Sequence, residues 1–447
     1  MRYRRNAQAP ERGTNTQEET AISEPTPEAA LPRMTVLMGG DTFPPDVNGA
    51  AAFSVRLAAG IASRGHDVHI IAQSHGEPQG VYREEHLGQV LTVHRLKSFR
   101  YPLHDWLRAV YPWAIHRNAA KIIDKVRPDV SHMQSHMVVG RGLTTESAKR
   151  GIRVVATNHF MPENLIEHSP FPKFTYPVIS WLAWKDCTRL YRKAAALTTP
   201  TKRAAAYLEE RTGLRHVHAI SCGIRMTDYT PDFEQKTERR IAFCGRITGE
   251  KMLPDLVEAV ARLPRDLEAH LDLIGDGDQR KALEQLADRL GIGDRVHFPG
   301  LVSDQELRRL LTRATVFAMP SIAELQSIAT MEGMASGLPV VAADAMALPH
   351  LVKDGENGFL YPPRDVAALS DRLERVLRMP HDEYEVMQRA SLRLLEPHDI
   401  DTTITIFERL YRGEEVTDPV TEVPPLSAKV REQFKSLARR ARSAMTD

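Results

Sequence analysis

Two glutamates, Glu324 and Glu332, stand with seven residues between them in the stretch FAMPSIAELQSIATMEGMASGLPVVA, residues 317–342. An apolar strand over Thr315–Met319 runs into Pro320 and Ser321. A helix is predicted over Gln326–Ser336, closed by Gly337 and Pro339 before a second strand, Val340–Ala343. Helical backbone from one glutamate to the other, at about 1.5 Å per residue, sets the carboxylates roughly 12 Å apart. The unpaired N–H groups of the helix start lie between them, and these favour phosphate. Such an arrangement suits a ligand with hydroxyls at both ends and phosphates in the middle, as in a nucleotide sugar. Two cations strengthen the reading. Arg246 and Lys251 follow a buried strand, Ile241–Cys244, in the loop Gly245-Arg246-Ile247-Thr248-Gly249-Glu250-Lys251. Arginine offers a planar fork and lysine a mobile point charge, the pair a polyphosphate needs.

The elements around these residues alternate between strand and helix. In the second half they read as helix Leu253–Leu263, strand His270–Ile274 ending in Gly275-Asp276-Gly277, strand Val296–Gly300 and helix Asp304–Arg313. Beyond the opening stretch come the turn Glu356-Asn357-Gly358, strand Phe359–Tyr361 and helix Asp365–Leu377. The first half opens with strand Met34–Met38, a loop ending in Asn48-Gly49, helix Ala50–Ser63 and strand Val68–Ala72. It continues through strands Val90–Lys97, Asp129–Gln134 and Ile152–Thr157. The last strands of this half are Ala195–Pro200 and Val217–Ser221, before a hinge at Cys222-Gly223-Ile224. Strict alternation predicts α/β architecture with parallel sheets, where ligands meet the carboxyl ends of strands. No G-x-G-x-x-G occurs in the first loop, so the dinucleotide fingerprint is missing there. His136 and His159 each follow a predicted strand closely, at the edge where sites form.

Composition narrows the class. With 447 residues the chain allows two or three domains, and 42% hydrophobic with 26% charged residues is ordinary for a globular protein. A net charge of +1 proposes no nucleic-acid partner. The three cysteines, Cys187, Cys222 and Cys244, fall in separate elements without metal-ligand spacing, which suggests a reducing, cytoplasmic setting. No metal is called for by any Asp/His spacing. No apolar run is long enough to span a bilayer, and no signal-peptide core is expected near the start. Residues 1–32 are poor in large apolar side chains and are expected to be disordered.

Charge is nonetheless uneven. Between His94 and Arg127 eight Lys and Arg stand against two Asp, interleaved with Phe99, Tyr101, Trp106, Tyr111 and Trp113. Rings beside cations suit a membrane interface, so Arg95, Lys97, Arg100, Trp106, Arg108 and Trp113 are candidate acceptor or membrane contacts. A helical pair with aromatics in the core and a solvated basic face is the competing reading. A second aromatic, basic-flanked stretch runs from Phe171 to Arg192. Residues 413–447 read as a linker and a basic amphipathic helix over Leu426–Met445, suited to a membrane, a partner or an intramolecular clasp.

The order strand, Pro-Ser, Glu324, seven residues, Glu332, Ala-Ser-Gly-Leu-Pro-Val-Val-Ala resembles the donor motif of retaining family-4 glycosyltransferases of GT-B fold. Leu325-Gln326-Ser327 departs from the glycine-richer form of that motif. The resemblance covers roughly residues 33–412. It implies two Rossmann-like domains facing a central cleft, an acceptor domain over 33–222 and a donor domain over 223–397, with the helix at 398–412 crossing back to complete the first. It implies further that Arg246, Lys251, the Gly49 backbone and the helix start at Gln326, Ser327 and Ile328 hold the diphosphate. Glu324 would bind the sugar, Glu332 the ribose, and Gly275 and Pro299 would line the donor site, the base meeting backbone groups at 297–300. His159 would orient the sugar, and His159, Glu324, Arg246 and Lys251 would carry the chemistry, with no cofactor beyond the nucleotide-sugar co-substrate. The stretches Thr-Asn-His-Phe-Met-Pro-Glu-Asn and Glu-Leu-Gln-Ser-Ile-Ala-Thr look most like the branch that glycosylates diacylglycerol or related glycolipids. That branch implies a peripheral protein on the inner face of the plasma membrane. A soluble or polysaccharide acceptor, an epimerase or hydrolase on the same scaffold, and a non-catalytic binder remain open, as does the oligomeric state.

Overall fold

The computed structural model describes residues 32–46, 48–100, 108–159 and 172–418. Trp106, the stretch after His159, the helix read over Leu426–Met445 and all but the last residue of the predicted tail lie outside the described residues.

Two sheets carry the fold. The first has the spatial order His218–Ala219, Ala196–Thr199, Arg153–Thr157, Val130–Met133, Thr35–Gly39, Asp67–Gln73, Gln89–Leu96, Gly80–His86. Its strands pair in parallel except the last two, which form an antiparallel hairpin. The turn of that hairpin, Leu87-Gly88, has φ of +50° and +74°, the primed geometry that follows strand twist. Gly80–His86 is the strand that sequence reading passes over. It sits at the sheet edge with alternate residues exposed, so its composition (GVYREEH) is too polar to read as a buried run.

The second sheet is wholly parallel, in the order Val296–Gly300, His270–Ile274, Arg240–Cys244, Val316–Met319, Val340–Ala343, Gly358–Tyr361. Counted within the sheet this is 3-2-1-4-5-6, the doubly wound order. Its strands are buried along nearly their whole length because helices cover both faces, and Phe243 and Phe317 fill its centre.

Two segments join the sheets side by side. Ile224 N donates to His398 O at 2.8 Å, and Ile400 N donates back to Ile224 O at 3.1 Å. Gly223 makes this crossing possible: its φ is +70°, and an added Cβ would stand 2.8 Å from the Ile400 Cα. The helix Ile400–Arg412, capped by the Asp399 carboxylate, then packs on the first sheet. Its Phe407 meets Phe53 at 5.6 Å between ring centroids, and its Tyr411 hydroxyl meets His132 Nδ1 at 2.7 Å. Glu408 receives Arg64 at 3.0 Å, His66 at 3.1 Å and Arg412 at 2.9 Å. Burial alone would raise the Glu408 pKa, but those donors hold it down at about 2. Among the described residues no helix is long and apolar enough to cross a membrane.

Candidate functional site

In each sheet the strand order reverses direction between two central neighbours, which opens a crevice at their carboxyl ends. In the second sheet these neighbours are Arg240–Cys244 and Val316–Met319. The loop leaving Cys244 carries Arg246 and Lys251, and the loop leaving Met319 carries Glu324. Backbone ties bring the loops together: Ile322 N donates to Glu250 O at 3.1 Å, and Ser321 Oγ donates to the same oxygen at 3.3 Å. Lys251 Nζ donates to Glu324 Oε1, with both side chains mostly shielded from water. Arg246 Nη2 lies 3.3 Å from Glu250 Oε1, which Thr248 Oγ1 also approaches at 2.7 Å.

Gly275 closes the floor of this crevice. Its φ is +134°, and an added Cβ would stand 1.9 Å from the Gly245 carbonyl oxygen, so any side chain would drive the two loops apart. Pro299 is exposed on the outer strand Val296–Gly300, two strands from Arg240–Cys244, or roughly 10 Å at ordinary strand spacing. On either side of it, Phe298 O accepts from Arg280 at 3.2 Å and Gly300 O from Gly275 N at 3.0 Å.

The helix after Glu324 spans Ile328–Ala335, two residues later than the sequence reading placed its start. Ser327 adopts φ +77° and caps the helix, its side chain accepting from Thr330 N. The stretch from Glu324 is therefore not continuous helix, and the 12 Å spacing has no basis. Gln326 explains the delay. Its Oε1 accepts from Cys222 N at 2.7 Å and its Nε2 donates to Ser221 Oγ at 2.8 Å, which anchors it in the crossing between the sheets. At 2% exposure its side chain is buried in that crossing, and Gln326 precedes the helix cap instead of opening the helix as the sequence suggested.

The first sheet brings its own helix start to the same place. The helix Gly49–Ser63 begins with Asn48 Oδ1 accepting from Ala51 N at 2.9 Å. A Cβ on Gly49 would lie 3.9 Å from Ile328 Cδ1, so the N-termini of two helices, one from each sheet, face each other across the cleft. Both present unpaired N–H groups and the positive end of a helix dipole. Further along, Arg56 Nη2 donates to Glu332 Oε1 at 3.0 Å. Burial raises the Glu332 pKa, and Arg56, with a hydrogen bond from Tyr229, works against that rise.

His159 closes the first-sheet side. Its Nε2 is 3.0 Å from Gln134 Oε1, and its ring packs on Phe53 at 4.8 Å. Burial pushes its pKa down to about 3, so the ring is neutral near pH 7. Gln134 Nε2 also reaches His132 Nδ1 at 3.2 Å, which continues the chain to Tyr411 on the returning helix. His136 is buried against the Tyr191 hydroxyl at 3.3 Å, away from this line.

Arg56, Tyr229, Thr201 and Arg203 were not picked out by sequence reading. Thr201 Oγ1 donates to Leu325 O at 3.0 Å, and Arg203 Nη1 donates to Met346 O. The available signals were slight: Arg56 lies seven residues after Gly49 on one helix face, and Thr201 is an N-cap after a strand.

The aromatic–basic segment divides. Arg95 is buried, donating to Glu84 at 2.8 and 2.6 Å, to Gln73 O at 3.0 Å and to Pro44 O at 2.8 Å. It ties the edge hairpin to the first loop, and the membrane role read for it is ruled out by that burial. Arg108 Nε donates to Ser98 Oγ at 2.9 Å; Lys97 and Arg100 are exposed, and Trp113 stands out with Tyr111 beneath it at 5.0 Å. Among the described residues no group of three or more His, Cys, Asp or Glu is placed to hold a metal ion.

Comparison with known proteins agrees with the two-sheet fold. The family described as Glycosyltransferase Family 4 matches residues 47–227, and Glycosyl transferases group 1 matches residues 229–393. An MMP alpha-(1->4)-mannosyltransferase of Mycolicibacterium hassiacum is 26% identical over 81% of this chain and 94% of its own length. Sucrose-phosphate synthase from Thermosynechococcus elongatus superposes with a TM-score of 0.70 at 18% identity, covering 85% of this chain and 99% of that one. Anabaena HepE, solved in complex with UDP-glucose, superposes with a TM-score of 0.66 at 18% identity, covering 85% and 100%.

Proposed function

We propose that this chain, which belongs to the group 1, family-4 glycosyltransferases of GT-B fold and transfers sugar from a nucleotide sugar, passes a hexose with retention to a membrane lipid. The acceptor in this reading is diacylglycerol or a glycolipid, and the donor is UDP-glucose. The observation that carries the donor side is the facing of two helix starts, at Gly49 and Ile328, beside Lys251 and Arg246. A diphosphate between them would meet N–H donors from both sheets and two cations at the crevice mouth. As the bond from the anomeric carbon to phosphate breaks, negative charge grows on the leaving oxygen, and those donors lower the barrier most at that moment.

The remaining roles follow from charge. Glu324, now paired with Lys251, accepts hydrogen bonds from sugar hydroxyls while Lys251 turns to phosphate. Glu332 accepts from the ribose, and Arg56 offsets part of the burial that raises its pKa. Neutral His159 exchanges hydrogen bonds with the sugar. On the front-face course the acceptor hydroxyl attacks from the side the phosphate leaves, its proton passing to the departing phosphate oxygen. No enzyme carboxylate forms a bond to sugar, so paired-carboxylate glycosidase logic has no part here. The HepE complex with UDP-glucose supports the donor, and the exposed aromatic and basic side chains of the first domain support the lipid.

A second reading is favoured by the mannosyltransferase relative, matched along 94% of its length: mannosyl transfer from GDP-mannose to a soluble acceptor. One screen decides between them. UDP-glucose, UDP-galactose and GDP-mannose are each incubated with diacylglycerol vesicles and with soluble sugars, and the product's anomeric configuration is read by NMR. An α-glucolipid is the expected product. Turnover of GDP-mannose on soluble acceptors alone would replace the lipid reading with the second, and hydrolysis or epimerisation of donor alone would remove both.

A further inference from the structure

We propose that the solvent face of the helix Tyr176–Tyr191 docks this protein on an anionic lipid bilayer. The inference extends the lipid-acceptor reading, while its evidence comes from a surface outside the donor crevice. Large apolar side chains are mostly hidden in this fold, yet four exposed ones fall within nine residues: Phe174, Val178, Trp181 and Leu182, at 71%, 50%, 59% and 52%. Their spacing of four, three and one puts them along one side of the helix and the turn before it. The opposite side is core, with Trp184, Cys187 and Leu190 buried.

Cations continue the same stripe. Lys185 holds its Nζ 4.7 Å from the centre of the Trp181 ring, and exposed Arg189 lies one turn further on. The one carboxylate of the helix, Asp186, is engaged by Arg141 of the neighbouring helix Val138–Lys149, with Nη1–Oδ1 at 3.2 Å. The face is therefore apolar at one end and purely cationic at the other. That charge complements anionic headgroups, and a tryptophan between the two zones is the side chain most at home at headgroup depth.

Its place in the fold suits such a surface. The helix precedes strand Ala196–Thr199, which lies parallel to Arg153–Thr157, so the helix N-terminus stands at the carboxyl edge of the first sheet. That edge carries His159 and opens on the cleft. Apolar side chains sunk into a bilayer there would bring the cleft to the depth from which a lipid headgroup is lifted. The segment from His94 to Arg127, with Arg95 folded inward, has no stripe of this kind among its described residues.

The test is sedimentation of the full-length protein with phosphatidylcholine vesicles, with and without phosphatidylglycerol. Wild type is expected to pellet with the phosphatidylglycerol vesicles and to be released by salt. Trp181→Ser with Leu182→Ser should weaken vesicle binding about tenfold or more, from the apolar area withheld from the bilayer. Lys185→Glu with Arg189→Glu should abolish the preference for phosphatidylglycerol. All four positions are exposed and none is among the residues placed at the donor crevice, so nucleoside diphosphate binding should stay at the wild-type value and report folding. Failure of wild type to pellet, or equal pelleting of the Ser variant, would overturn the proposal. Loss of a concentration-dependent oligomer in the Ser variant, without vesicle binding by wild type, would reassign the face to a protein partner. Vesicle binding without transfer to diacylglycerol would remove the acceptor reading and leave the docking surface. Transfer without vesicle binding would do the reverse.

Discussion

The two edges that face each other across the cleft handle charge in opposite ways. On the second sheet the edge is ionic: Lys251 with Glu324, Arg246 with Glu250, and Glu332 reached by Arg56 from across the cleft. On the first sheet the line of His159, Gln134 and His132 is polar but neutral, the two histidines pushed down to about 3 by burial. A diphosphate leaving group needs fixed charge, whereas a hydroxyl acceptor and a sugar need hydrogen bonds that do not change with pH. The asymmetry fits the proposed reading, in which the cations that meet the leaving group, Lys251 and Arg246, come from the second sheet and neutral His159 from the first.

The strongest break in that comparison is expected at Lys251. Lys251→Ala should lower kcat/KM by on the order of a hundredfold or more, the scale of losing one donor to developing charge. It should also weaken free nucleoside diphosphate binding by roughly 1.5–3 kcal/mol. Titration calorimetry reads the second effect, and unchanged diphosphate affinity in the folded variant would end the assignment of Lys251 to phosphate.

Next in size, the two glutamates should part company. Glu324→Gln is expected to impair transfer about a hundredfold while sparing free diphosphate affinity, because the contacts proposed for it are to sugar alone. Glu332→Gln should weaken the diphosphate too, by about 1–3 kcal/mol, since the ribose loses an acceptor and Arg56 loses its charge partner. Indistinguishable diphosphate titrations for the two variants would collapse the division.

A smaller effect concerns the helix that returns to the first sheet. Glu408 is held below its ordinary pKa, so its contribution to stability is full above about pH 4.5 and is lost as pH falls towards 2. Glu408→Gln should cost roughly 2 kcal/mol at pH 7, less than a fully buried pair because Arg64 keeps contact with water. Urea unfolding at pH 7 and pH 3 checks this, and the difference between variant and wild type should shrink at the lower pH.

The smallest effect is on slope. His132 and His159 stay neutral in the folded protein but take up protons when unfolded below about pH 6.5. Folding stability should therefore decline as pH drops from 6.5 towards 4. His159→Gln should flatten that decline by about one proton's worth, or ~1.4 kcal/mol per pH unit, and leave the neutral-pH midpoint nearly unmoved. The other buried histidines keep part of the decline in the variant, so the comparison is of slopes: a slope equal to that of wild type would mean that His159 is protonated in the folded state.

Legibility in the sequence followed the same divide between the sheets. In the second, the candidates Arg246, Lys251 and Glu324 sit in the loop that leaves a buried strand and Glu332 on the helix that follows, so all four are found by reading forward from apolar runs. In the first, the edge is assembled from distant segments: Gly49, Gln134, His159 and Tyr411 come from a helix start, two strand ends and the returning helix. Arg56 was hidden because a lone arginine on a helix reads as a solvated residue until the facing carboxylate is known. Arg95 misled for the complementary reason: its partner, Glu84, lies on an edge strand too polar to recognise.

What the sequence alone determined was local and periodic: buried strands alternating with amphipathic helices, glycines where loops must turn, and charged residues just past strand ends. Those features follow from backbone geometry and side-chain burial within a short window. The tertiary structure decided everything that depends on which windows meet. It set the two helix starts against each other at Gly49 and Ile328 and withdrew Gln326 into the crossing. It also buried Arg95 while leaving Trp181 and Leu182 in the open. Burial and pairing are properties of neighbours far apart in the chain, and no local pattern encodes them.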